Sequence, residues 1–100
     1  MNRMDKFLEY LTLREQLKQK RDEVWAAAKD AHTYVRLGYL ECVDNEFQLT
    51  AKSKRPFASA EQSDFATAAF LAKEKLELVL VEEEELMYRR DAAWGKVQWE

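Results

Sequence analysis

Lys75-Leu76-Glu77-Leu78-Val79-Leu80-Val81-Glu82-Glu83-Glu84-Glu85 is the stretch that decides the fold. Leu76, Leu78 and Leu80 alternate as a half-buried strand would, and Val79 and Val81 favour sheet. The flanks argue the other way. From Ala60 to Ala93 there is no glycine or proline, and strong helix formers lie on both sides of the apolar run. Phe65, Ala69, Ala72, Leu76, Val79, Leu86 and Trp94 mark one helical stripe. Ala66, Phe70, Leu71, Leu78 and Leu80 widen it beyond the seam of a coiled coil. The reading is a helix over about 60–94, opened by a Ser59/Gln62 capping box. Gly95 is expected at its left-handed end, with a short irregular tail to Glu100.

Outward toward the N-terminus, Arg3 to Thr33 also lacks glycine and proline. Met4, Phe7, Leu8 and Leu11, then Leu13, Leu17, Val24, Ala27, Ala28, Ala31 and Val35, recur at spacings of three and four. This predicts an amphipathic helix over about 3–34, roughly 45 Å long, which must lie against another long helix. Lys18-Gln19-Lys20-Arg21-Asp22-Glu23 interrupts the stripe. It reads as a solvated stretch whose long stems cover apolar surface, or as a basic contact patch.

The segment 35–58 breaks the helical period. Tyr39-Leu40-Glu41-Cys42-Val43 and Phe47-Gln48-Leu49-Thr50-Ala51 read as short strands, with Asp44-Asn45 as the turn between them. Gly38 supplies the bend out of the first helix. Lys52-Ser53-Lys54-Arg55-Pro56 is a basic loop. The expected fold is therefore mainly α. It is a single domain over 1–100, a long antiparallel helical hairpin with a small β-hairpin or irregular insert between the helices.

Composition narrows the function. The 100 residues carry two glycines, one proline, one cysteine and one histidine, with a net charge of −3. Two isolated glycines cannot cradle a phosphate, so neither a P-loop nor a dinucleotide fingerprint exists. No Cys-x-x-Cys or paired histidine offers a zinc site, and the contiguous Glu82–Glu85 cannot wrap a calcium ion. No metal or cofactor is expected. Residues 59–100 hold five Lys/Arg against ten Asp/Glu, so the acidity is concentrated in the second helix, as a solvated face or a dock for a basic partner. No stretch approaches the ~18 apolar residues of a membrane span. Met1 reads as the natural start, without a signal peptide, and the lone cysteine suits a cytoplasmic setting.

Candidate sites are few. Trp25, Trp94 and Trp99, with Tyr10 and Tyr88, are residue types enriched at binding hot spots. Leu78, Val79, Leu80 and Val81 place apolar side chains all around one helical turn, more than a single partner helix covers. That predicts a homodimer in a four-helix arrangement, with Leu78 and Leu80, or Val79 and Val81, at the interface. Arg36, Lys52, Lys54 and Arg55 could contact phosphates, giving a weak, salt-sensitive nucleic-acid binder as the alternative. His32, the sole candidate general base, and Cys42, expected as a buried thiol, would carry a small enzyme as the second alternative. The primary expectation is a non-catalytic protein–protein interaction module.

In this general style, small, acidic, glycine-poor and helical, the chain resembles the accessory proteins that bacteria and their phages use to bind and modulate larger machines. The resemblance is compositional. It implies an inhibitor or adaptor and assigns no residue a role.

Overall fold

The computed structural model describes residues 2–99. Two long helices pack against each other, with a small antiparallel β-hairpin between them in the chain. The order is α1 (Arg3–Arg36), β1 (Leu40–Val43), β2 (Glu46–Leu49), a 3-10 turn (Ala51–Ser53) and α2 (Ala60–Trp99). Met1, read as the natural start, and Glu100, the last residue of the expected tail, lie outside the described residues. The stretch 75–85 is helix throughout.

Each helix boundary has a local cause. Asn2 caps α1, its side-chain oxygen accepting from the Asp5 amide at 2.9 Å. At the other end Gly38 has φ +86°. The Tyr39 amide donates to the Tyr34 carbonyl at 2.9 Å and the Gly38 amide to the Val35 carbonyl at 3.0 Å. This is a Schellman termination, which needs a residue without Cβ strain at the left-handed position. α1 therefore runs two residues past the expected boundary. Ser59 opens α2, its hydroxyl accepting from the Gln62 amide at 3.1 Å. The Gln62 carboxamide returns the contact one residue earlier than the usual box, accepting from the Ala58 amide at 2.8 Å.

The C-terminal boundary corrects the sequence reading. α2 continues through Gly95 to Trp99, so among the described residues there is no irregular tail. Gly95 is not in a left-handed conformation, since Gly38 is the glycine with positive φ. Ala93 and Val97, four residues apart, are both buried. Packing of Val97 therefore carries the helix past a residue that costs it only ~1 kcal/mol.

The residues fall into two compact units. One holds α1 through Val24 and α2 from Val79 onward. Its buried side chains are Leu13 and Leu17 on α1, and Val79, Ala93 and Val97 on α2. The helices there run antiparallel: Tyr10 meets Trp94, and Lys20 meets Glu82.

The other unit spans Trp25–Leu78. Its helical core is mostly alanine, with Ala27 and Ala31 on α1 and Ala66, Ala69 and Ala72 on α2, closed by Leu76, Tyr39 and Leu40. Side chains this short allow close helix approach. The hairpin pairs Leu40 with Leu49, Cys42 with Phe47 and Val43 with Glu46. Asp44 and Asn45 have φ +53° and +66°, which makes the connection a two-residue turn of the twist-matched type. β1 begins one residue inside its expected limit and ends where expected, whereas β2 begins one residue earlier than expected and ends two residues short, because Ala51 belongs to the 3-10 turn.

That turn caps α1. The Thr50 hydroxyl donates to the Gly38 carbonyl at 2.6 Å, and the buried Ser53 hydroxyl donates to the Tyr39 carbonyl. The Lys52 ammonium donates to the Leu37 carbonyl at 3.2 Å and lies 4.6 Å from the Tyr39 ring centroid. Gln62 then ties the turn to α2, its amide nitrogen donating to the Lys52 carbonyl at 2.9 Å. The carbonyls of Leu37, Gly38 and Tyr39, just beyond α1, thus gain partners from residues 50–53.

Candidate protein-interaction surfaces

The helical period sorts the apolar residues of the Val79-containing unit into three lines. Val79 itself is 0% exposed and belongs to the core, which removes it from the expected interface. Leu80, Met87 and Trp94, seven residues apart, form a second line along the flank of α2 and are partly exposed. Val81, Tyr88 and Trp99 form a third, outer line and are 63%, 68% and 85% exposed.

The flank line continues onto α1. Tyr10 lies 4.8 Å from Trp94 between ring centroids, and Phe7 lies 6.3 Å from Tyr10. Met4, Phe7 and Val97 line a shallow apolar pocket of about 370 Å³ with Arg3 at its edge. A polar groove of about 710 Å³ is lined by both signs of charge, with Leu11, Arg14, Glu15, Leu17, Lys18, Arg21 and Asp22 on α1 and Arg90 on α2.

Charge organises the opposite end of this unit. Lys20 donates to Glu23 at 2.6 Å and to Glu82 at 3.2 Å. The hydrogen bond to Glu23, then that to Glu82, raises the Lys20 pKa above the ordinary lysine value. Arg21 lies 3.8 Å from Glu83. The basic stretch of α1 and half of the glutamate run of α2 are therefore partners of each other. The sequence reading treated them as separate faces.

In the Trp25–Leu78 unit, Trp25 is 69% exposed. It borders a shelf of about 740 Å³ along α1, with Ala28, Lys29, His32, Val35 and Arg36 among its lining residues. Leu78 is exposed on α2, with Leu71 one heptad before it. On the same helix Lys73 donates to Glu77 at 2.7 Å, and that hydrogen bond raises the lysine's pKa.

The residues of the two alternative functions are placed as follows. Arg36, Lys54 and Arg55 are exposed. Lys52 is not a free cation of the basic loop, because it holds the Leu37 carbonyl and the Tyr39 ring. His32 packs edge-on against Phe47 at 5.3 Å. Cys42 pairs with Phe47 across the ladder and is exposed, against the expectation of a buried thiol. It lies toward the free end of a hairpin whose burial is concentrated at Leu40. No hydrogen bond joins His32 to Cys42 among the described residues.

Among the described residues no group of three His, Cys, Asp or Glu side chains is placed to hold a metal ion. No helix there is long and apolar enough to cross a membrane. No protein-family description, curated protein sequence or solved structure matches this chain.

Proposed function

We propose that this chain is a non-catalytic protein-interaction module, an inhibitor or adaptor that acts by occupying a surface of a larger complex. One observation carries the reading. The outer line Val81, Tyr88 and Trp99 is the most exposed apolar line of its unit, while the buried positions there are filled by Leu, Val and Ala. Tryptophan and tyrosine combine large apolar area with a polar handle, which suits docking. Exposing them on one helix line forgoes roughly 1.5–3 kcal/mol for each large side chain left in water. A partner that covers the line recovers that energy. Trp25 offers a further anchor in the other unit. A cytoplasmic setting belongs to this reading, because an exposed single thiol such as Cys42 stays reduced there.

The test is affinity capture from the native cell with the wild-type chain and with Trp99→Ala, Tyr88→Ala and Trp25→Ala variants, read by mass spectrometry. The reading expects one partner set that at least one variant loses while its circular dichroism stays unchanged. Capture that is identical for all four chains, or empty for the wild type, sinks it.

A further inference from the structure

Trp25, Lys29, His32 and Arg36 follow one another on α1 at spacings of four, three and four residues, which sets them on one line of the helix. All four are exposed. The line lies wholly in the Trp25–Leu78 unit and runs along the shelf of about 740 Å³. The buried Ala27 and Ala31 sit on the opposite side of α1, so the carboxylates of α2 in this unit face away from it. The hairpin reaches the line at His32, whose ring meets Phe47 at 5.3 Å. Strand side chains alternate, so Cys42, paired with Phe47, shares that face of the hairpin, whereas Glu41 and Glu46 lie on the other. Two carboxylates stand at the margins. Asp30 borders the shelf about 100° round the helix from Lys29. Asp22 precedes Trp25 by three residues and so lies beyond the end of the line. Among the described residues neither Lys29 nor Arg36 makes an ion pair within the chain.

We propose that this line docks an acidic, amphipathic segment of a partner protein, which deepens the interaction reading and rests on it. Trp25 takes an apolar anchor of the segment, and Lys29 and Arg36 pair with its carboxylates. The two cations stand seven residues apart with no acid between them on the line, so carboxylates recurring every two helical turns satisfy both. A basic segment would set like charge against both of them. A nucleic acid fits less well than an acidic segment. Ala28 and Val35 give the shelf an apolar floor that phosphates cannot use. The net charge of −3 also repels a polyanion more strongly than a short peptide with a few carboxylates.

A random peptide library displayed on phage and selected against the full chain tests the chemistry. Peptides enriched on the wild type are expected to carry net negative charge around one or two aromatic or aliphatic anchors, and to bind more weakly as salt rises. Their binding is read by a dye on Cys42, the exposed lone cysteine. Trp25→Ala and Lys29→Glu/Arg36→Glu should each lose at least about tenfold in affinity, with circular dichroism unchanged. Selection against Lys29→Glu/Arg36→Glu should enrich basic peptides instead, an outcome that loss of folding cannot produce. Enriched peptides without a charge bias, acidic peptides indifferent to both variants, or no enrichment at all overturn the site. An oligouridylate that binds the wild type and is lost in the charge reversal gives the line to nucleic acid and overturns it too. If the enriched peptides depend on Trp99 and not on Trp25, this site fails and the interaction reading stands.

Discussion

Lys20 on α1 holds Glu82 on α2 at 3.2 Å while also holding Glu23 on its own helix at 2.6 Å. One ammonium thus fixes the register of two helix segments 62 residues apart in the chain. The folded state raises its pKa, through Glu23 first and Glu82 second. A group whose pKa rises on folding contributes stability that is complete below its unfolded value. The contribution is lost as pH climbs through the folded value. The alkaline window above the ordinary lysine pKa of 10.5 is therefore where this contribution disappears. Urea midpoints at pH 8 and pH 11 should fall further for the wild type than for Lys20→Met. Equal falls in the two chains would show that the pair contributes nothing.

The two glycines should respond to alanine with opposite signs. Gly38 sits at φ +86°, where an added Cβ meets only ordinary contacts at 3.8 Å from Lys52, so the cost is backbone strain and not collision. Gly38→Ala should destabilise by ~1–2 kcal/mol. Gly95 lies inside α2 with nothing within 4 Å of an added Cβ. Gly95→Ala should stabilise by ~0.5–1 kcal/mol. Thermal melts decide both, and a destabilised Gly95→Ala would contradict the helix running past it.

These glycines also mark what the sequence could and could not reveal. Gly38 was legible because a positive φ after a helix is a local requirement that glycine meets best. Asp44-Asn45 was legible for the same reason, as both residues tolerate the positive φ of the tight hairpin turn. Gly95 carries the same local signal, but burial of Val97 outweighs it, and burial depends on a helix far away in the chain. The meeting of Lys20 and Arg21 with Glu82 and Glu83 was hidden likewise. Each charge run reads alone as a solvated face, and only the helix register makes them partners. The outer line was half legible. The apolar girdle at 78–81 was visible in composition, but the sequence could not say that Val79 turns inward and Val81 outward.

Lys52 separates from its neighbours in the basic loop. Its contacts with the Leu37 carbonyl and the Tyr39 ring make Lys52→Glu a folding variant, with a loss of about 1 kcal/mol. Lys54→Glu/Arg55→Glu should leave the urea midpoint unchanged, because both side chains are exposed and neither holds backbone. That double variant is thus the clean probe of nucleic-acid binding. Salt-sensitive retention of RNA or DNA by the wild type, lost in the double variant, would overturn the preference for a protein partner.

Val79 and Val81 carry the sharpest test of where core ends and docking surface begins. They lie two residues apart on α2, yet one is 0% and the other 63% exposed. Aspartate at 79 would bury a carboxylate without an assigned cation. That costs several kcal/mol even after relaxation. Against a total stability of ~5–15 kcal/mol, most of the fold should be lost. Aspartate at 81 would face water, and a surface change there should move stability by no more than ~0.5 kcal/mol. Val81→Asp should therefore melt like the wild type by far-UV circular dichroism. It should still lose the partner captured through Tyr88 and Trp99, because it sets a charge in the middle of an apolar contact. Val79→Asp should lose its helical signal at 25 °C. If Val81→Asp also unfolds, the outer line is core and not dock; if it folds and still captures the partner, the dock lies elsewhere on the chain.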